Sequence, residues 1–335
     1  MLDVKCKEEN HLHIKLSKIT ESKKFDQLFE MEELEESDLL SIALELFSNE
    51  QNQIFSAINF FDRYLKFYNI PLSVALEIQP FFTKILSEDE IPSQISEPSL
   101  RIISLISTSF SEKFDYSTFI SKLWCYLPSS SAFDAISSII IANKKAADVI
   151  TDQPFLLLLQ ELFQSDDFKM QSGALGIFNS LTFYPELSQK MYEIFNQIFE
   201  FHKVADSSLK IQCYETFTNL VSNQYWCETF INSPDLSIIF QIDQSNNYDA
   251  QLLSALRFLN ALIINSEANP EEIILKAESV PLIMNGFTNL QNIVLYESIY
   301  IVEKIMKKLK YIPEFIWSSD IINILYDKNT NIISN

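Results

Sequence analysis

A recurrence limits what this chain can fold into. Seven octapeptides with small or apolar residues at helical spacing follow one another: AINFFDRY from Ala57, SLRIISLI from Ser99, AISSIIIA from Ala135, ALGIFNSL from Ala174, CYETFTNL from Cys213, ALRFLNAL from Ala255 and SIYIVEKI from Ser298. Their starts lie 42, 36, 39, 39, 42 and 43 residues apart. No single copy can bury its own apolar face. Copies at a near-constant period must therefore cover one another, which is how a helical repeat array holds together.

A second apolar element precedes most octapeptides by one loop: IQPFFTKIL (78–86), YSTFISKLWCYL (116–127), QPFLLLLQELF (153–163), SPDLSIIFQI (233–242) and VPLIMNGF (280–287). Pro80, Pro154, Pro234 and Pro281 fall near the starts of four of them. Proline has a fixed φ and no N–H, so it costs least in a first turn, and each is expected to open a second helix. Polar stretches such as QSDDFKMQSG (164–173) and QSNNYDAQ (244–251) read as turns and caps. The expected unit is a short helix, a turn, an apolar helix, a polar turn and a longer amphipathic helix.

Composition excludes the main alternatives. With 3 Gly among 335 residues and 47% hydrophobic content, tight hairpins and phosphate-cradling loops have almost no raw material. The 25 basic and 45 acidic residues leave a net charge of −20. A field of that sign repels nucleic acid and anionic lipid, both of which are bound through clustered Lys and Arg, whereas a basic protein segment stays acceptable. No run reaches the ~18 apolar residues of a membrane span, and MLDVKCKEEN lacks a signal peptide's apolar core. The expectation is a cytoplasmic or nuclear chain without membrane insertion.

Reactive constellations are missing. Cys6, Cys125, Cys213 and Cys227 form no C-x-x-C pair and read as reduced, structural residues. No histidine is placed to activate Cys213 or Cys227. His11 and His13 form an H-x-H without a third ligand, and His202 reads as a helix-end residue. Asp166 and Asp167 sit in an expected turn, where carboxylates favour the next helix N-terminus. There is no P-loop, dinucleotide fingerprint or nucleophile elbow. The expectation is no enzyme, no cofactor and no metal, with Trp124, Trp226 and Trp317 serving as core residues.

The pattern resembles the armadillo repeat. ILKAESVPLIMNGF (274–287), IQCYETFTNL (211–220) and the helix pair at 153–181 carry the likeness, which runs over about residues 38–335. It implies an all-α, armadillo-type α-solenoid: a right-handed superhelix of about seven helical repeats over 37–335, behind a polar, acidic tail at 1–36. The family's turn glycine is replaced by Glu278, so Asn or Asp in the left-handed conformation is expected to make the turns.

Within that family the N-terminal third resembles importin-α. Residues 46–86 follow the first-repeat cadence, and SKKFDQLFEME (22–32) is similar to the importin-β-binding tail. The charge is reversed, however: residues 25–62 contain no Lys or Arg, and Glu32, Glu33, Glu35 and Glu36 follow the motif. A tail of that sign does not suit an acidic importin-β groove. It reads as a solvated charge run that could instead meet a basic segment, the chain's own KIMKKLK (304–310) included.

The importin-α groove reads basic peptides with a W-x-x-x-N array. That resemblance puts the Trp places at Asn59, Arg101, Ser137, Gly176, Glu215, Arg257 and Tyr300, none of them Trp. Of the Asn places at Arg63, Leu105, Ile141, Ser180, Asn219, Ala261 and Lys304, only Asn219 matches. The inner-position residues Arg101, Glu215, Asn219, Arg257 and Tyr300 are the expected partner contacts. The function implied is an adaptor or scaffold holding a protein or peptide segment on a concave face of third helices. A nuclear import adaptor with a rewritten groove and an armadillo-type cochaperone are the alternatives. The final segment DIINILYDKNTNIISN (320–335) reads as a second helix lacking its third, which leaves an edge for self-association.

Overall fold

The computed structural model describes residues 33–88, 92–110, 113–114, 117–187, 191–242 and 247–318. The H-x-H pair, Cys6, Glu32, the 22–32 segment, the start of the 244–251 turn and the 320–335 segment lie outside the described residues, as does the side chain of Trp317. Every regular element among the described residues is helical. The 37–335 stretch divides into two compact units, one reaching residue 115 and taking in 121–135, the other made of 116–120 and everything from 136.

The first unit contains α1 (Glu36–Glu45), α2 (Gln51–Tyr64), α3 (Leu72–Ser87) and α4 (Ser93–Ser109). Helix α1 packs on α3, and α2 on α4. The pairing follows from the apolar stripes: Ala57, Ile58, Phe61 and Tyr64 of α2 recur at helical spacing and are buried, as are Val74, Ala75, Ile78, Phe82 and Ile85 of α3. Burying one such large side chain is worth ~1.5–3 kcal/mol, far more than helix propensity supplies. The short α5 (Ile120–Trp124) and α6 (Ser130–Ala142) lie along the division between the units.

The second unit runs as α7 (Lys144–Ile150), α8 (Gln153–Phe163) and α9 (Phe168–Leu181), then α10 (Tyr192–Val204) and α11 (Ser207–Leu220). It continues with α12 (Gln224–Ile231), α13 (Leu236–Ile239) and α14 (Tyr248–Asn265), then α15 (Pro270–Lys276), α16 (Val280–Thr288), α17 (Asn292–Leu309) and α18 (Glu314–Ser318). All seven octapeptides fall on the last helix of a repeat: α2, α4, α6, α9, α11, α14 and α17. In this unit α9, α11, α14 and α17 pack side by side in order.

Polar turns start the helices as their residues dictate. Asn143, Asp167, Asp206, Asn223 and Asn269 are N-caps whose side chains accept the exposed first-turn amides; Asp206 takes both Ser208 and Leu209 at 2.9 Å. Each such cap is worth ~1 kcal/mol. Asp167 thus caps α9, as its place in the turn implied.

Pro154 and Pro281 stand in the first turns of α8 and α16 as expected. Pro80 does not open a helix: it lies inside α3, because the buried stripe continues past it to Phe82, Ile85 and Leu86. Its ring is exposed, so water meets the carbonyl that loses its hydrogen bond. Pro234 precedes the single turn of α13 rather than a full second helix. The buried Tyr214 hydroxyl donates to the Ile239 carbonyl at the end of that turn. The 116–127 segment likewise shortens to a 3₁₀ turn and α5.

Helix α10 is a second helix that the sequence reading passed over. Its signal was present: Phe195, Ile198, Phe199 and His202 stand at i, i+3, i+4 and i+7, and all are buried. They meet an aromatic cluster drawn from four helices. Phe195 lies 4.4 Å from Trp226 and 4.9 Å from Phe230, which lies 5.0 Å from Phe217 and 4.9 Å from Phe258. His202, in the last turn of α10, packs edge-on to Tyr214 at 4.9 Å. Trp226 is buried as expected, and Trp124 is half-buried.

Among the described residues the left-handed turn positions are not held by Asn or Asp. Glu278 (φ 47°) and Lys310 (φ 61°) take that conformation. Glu278 ends α15 in a Schellman motif, its amide donating to Leu275 O and the Ser279 amide to Ile274 O, both at 3.2 Å. An L-residue pays a steric cost there that glycine avoids, so Glu278→Gly is expected to stabilise the fold by ~0.5–1 kcal/mol, read as a raised urea midpoint. A lowered midpoint would show that the Glu278 side chain contributes more than the strain costs.

Candidate functional site

The solvent-facing stripes of neighbouring third helices make the candidate site in the second unit. Two hydrogen bonds join α9 to α11: Ser172 Oγ to Gln212 Oε1 at 3.0 Å and Asn219 Nδ2 to Asn179 Oδ1 at 2.8 Å, each bridging 40 residues. One offset at two places along the pair means that the helices run parallel and in register. Asn247 Nδ2 to Ser208 Oγ at 3.1 Å bridges 39 residues from the segment just before α14 to α11, and Asn260 Nδ2 to Glu297 Oε1 at 2.9 Å bridges 37 from α14 to α17. The repeat period of the sequence thus reappears as polar ties between successive third helices.

Four of the five expected contact residues come together on these stripes. Glu215 and Asn219 are exposed on α11, Arg257 is exposed on α14, and Tyr300 is exposed on α17. Asn179, which ties to Asn219, was missed because the octapeptide starts put Ser180 at that place. Those starts differ by 39 residues, whereas the helices pair at 40, a slip of one position. Ser180 is buried, its hydroxyl donating to Gly176 O at 2.9 Å. The adjacent Tyr296 is more exposed than Tyr300, at 62% against 40%.

Arg101 belongs to the first unit and is already engaged. Its Nε donates to Asp62 Oδ1 at 2.7 Å and its Nη2 to Oδ2 at 2.9 Å, while Nη1 donates to Ser131 Oγ at 3.3 Å. This bidentate pairing with Asp62 holds the guanidinium above its ordinary pKa. Asp62 is nearly buried and Arg101 is 37% exposed, so solvent screening reduces the pair to about 1 kcal/mol. Arg101 ties α2, α4 and α6 together.

Arg257 differs: among the described residues it makes no hydrogen bond or ion pair, and neither does Glu215. Tyr300 carries the Lys304 Nζ 4.5 Å above its ring, and its hydroxyl raises the Lys304 pKa. The rest of the KIMKKLK segment is used locally. Lys307 pairs with Glu303, and Lys308 donates to Ser266 O at 2.6 Å beside an open cavity of about 590 Å³ lined by residues 266–270.

The two buried cysteines carry no activated thiol. Cys213 and Cys227 are buried, and burial pushes both pKa values up, that of Cys227 to about 11. Thiolate is the reactive form. Alkylation at pH 8 followed by peptide mapping is therefore expected to mark exposed Cys125 and spare Cys213 and Cys227 until urea unfolds the chain; rapid labelling of either would place it at the surface. Among the described residues no three metal-ligating side chains cluster, and no helix is long and apolar enough to cross a membrane.

No family model matches the chain, and no curated protein matches it significantly. Solved structures do. An engineered protein aligns with 80% of this chain and 68% of its own at 16% identity and a TM-score of 0.57. A designed armadillo repeat protein in complex with the peptide (KR)4 aligns over 80% of this chain and 99% of its own, at 14% identity and a TM-score of 0.43. A chain from a structure concerning a phosphorylation switch in the interaction between cadherin and beta-catenin aligns over 88% of this chain and 66% of its own, at 12% identity and a TM-score of 0.44. The helix triplets of the second unit, repeated at about 40 residues, have the armadillo-type helical-repeat arrangement; the match at 0.57 and 16% identity carries a likeness of fold and nothing further.

Proposed function

We propose that this protein is a non-enzymatic scaffold or adaptor that holds a segment of a partner protein across its third helices. One observation supports the reading: on the neighbouring third helices α9, α11, α14 and α17, Asn219, Arg257, Tyr296 and Tyr300 are exposed and Asn179 is half-buried on successive repeats. Side chains of this kind supply amide hydrogen bonds, a charge and aromatic faces to an extended chain, and a modular row sums shallow contacts into useful affinity. The designed armadillo repeat protein that aligns with the chain was solved with a peptide bound, a use of the fold in keeping with this reading.

Selection of short random-sequence peptides on the full-length protein tests it. Peptides recovered this way should protect amides of α11, α14 and α17 from hydrogen exchange, and Tyr300→Ala should weaken them at least ~10-fold. Glu161→Ala, on the exposed side of α8, should not. Failure to recover any peptide that contacts these helices would overturn the proposal.

A further inference from the structure

The chain's cations are unevenly satisfied. Lys66, Arg101, Lys144, Lys203, Lys276 and Lys307 each have an acidic partner within 4 Å. Acidic residues outnumber basic ones 45 to 25, so a partner for any cation is easy to supply. Arg257 stands exposed on α14 with no ion pair among the described residues, as do Lys84, Lys113, Lys169 and Lys310 elsewhere on the chain. The carboxylates on its flanks do not reach it: Glu215 on α11 makes no ion pair there, and Glu297 on α17 accepts from Asn260 instead.

Around Arg257 the same two helices expose apolar surface. Ile264 on α14 is 41% exposed; on α17, Ile293 is 50%, Tyr296 62% and Tyr300 40% exposed, with the Lys304 ammonium seated over the Tyr300 ring. A guanidinium without an ion pair among the described residues, a second cation, the exposed Tyr296 ring and the part of Tyr300 that this cation leaves uncovered are complementary to carboxylates alternating with apolar side chains.

The helix register sets the spacing. The Asn260–Glu297 bond offsets α14 from α17 by 37 residues, which puts Arg257 level with Val294. Lys304 lies ~15 Å further along α17 at 1.5 Å per residue, on an axis ~9 Å away. The two cations are therefore ~17 Å apart, roughly five residues of extended chain.

We propose that the α14–α17 face binds an extended acidic segment of a partner protein. One carboxylate sits on Arg257, a second about five residues away sits on Lys304, and apolar side chains between them lie against Tyr296 and Tyr300. This rests on the scaffold reading above and adds the chemistry of its partner, opposite in sign to the basic peptide that a groove of Trp and Asn would take.

Fluorescence anisotropy on the full-length protein decides the matter, with two labelled peptides as probes. One carries glutamates about five residues apart around a Leu and Val core; the other has lysines in their place. The glutamate peptide should bind more tightly, Arg257→Glu should weaken it ~10-fold or more, and the same variant should prefer the lysine peptide. Arg257 is exposed, so the variant should keep the parent's circular dichroism and melting profile. Equal or tighter binding of the lysine peptide by the parent protein, indifference of the glutamate peptide to Arg257→Glu, or binding of neither peptide overturns the inference. If peptides of any charge engage α11, α14 and α17 and are weakened by Tyr300→Ala, the scaffold reading stands without it.

Discussion

Trp226→Ala is expected to lower stability by ~3–5 kcal/mol, whereas Trp226→Phe should cost no more than ~1 kcal/mol. The indole is 1% exposed and central to the aromatic cluster, 4.4 Å from Phe195, with Tyr192 and Tyr225 against it at 6.3 and 5.2 Å. Truncation to alanine opens a cavity among rings on α10 and α12 that cannot collapse, because Phe195 and Phe230 are themselves held by Phe217 and Phe258 on α11 and α14. Phenylalanine keeps most of the volume and removes the indole N–H, which is buried without a hydrogen-bond partner among the described residues. Urea denaturation followed by circular dichroism gives both numbers. Repeats support one another through shared interfaces, so the alanine variant should lose α11 and α14 together with α10 and α12. A loss below ~1 kcal/mol for alanine would mean that these rings do not share a core.

Gly286→Val is expected to cost ~3 kcal/mol, and Gly286→Ala ~1–2 kcal/mol after its better helix propensity is credited. A Cβ at this position would stand 1.9 Å from Ser298 Oγ, 3.1 Å from Ser298 Cβ and 3.0 Å from Leu256 Cδ1. The Ser298 hydroxyl could rotate away, but its Cβ and the buried Leu256 cannot, so α16 would be pushed off α17 and α14. Glycine is used here for space. Its φ is not in the left-handed region, and it sits within α16, where a propensity argument alone would favour alanine. Ser298→Gly combined with Gly286→Ala should recover most of the loss, a coupling of ~1 kcal/mol or more in a double-mutant cycle. Additive effects of the two changes would show that the close approach of α16 and α17 is not what glycine serves.

These two sites show how differently parts of the molecule were readable. Trp226 was legible as a core residue from its size and its apolar surroundings. The need for Gly286 was not, since nothing in VPLIMNGF says which helix will cross above it. The same contrast holds along the candidate row. Asn219, Arg257 and Tyr300 were found by counting from the octapeptide starts, and their exposure on third helices follows from the helical period. Asn179 was lost to a slip of one residue that only the hydrogen bond to Asn219 reveals. Arg101, read as a sibling of Arg257, is instead consumed by Asp62 and Ser131, residues 39 and 30 positions away in the chain.

The sequence by itself determined most of the helices, their period and their order, because apolar spacing, capping residues and prolines act over a few neighbouring positions and leave a local record. Even there Pro80 misled, since the buried stripe of α3 outweighed one missing hydrogen bond. Only the tertiary structure decided which polar side chains remain available. Arg101 and Arg257 occupy like positions on like helices, yet one meets a carboxylate from the preceding repeat and the other meets none among the described residues. Ion pairing depends on distances of a few ångströms between residues some forty positions apart, and no local pattern encodes them.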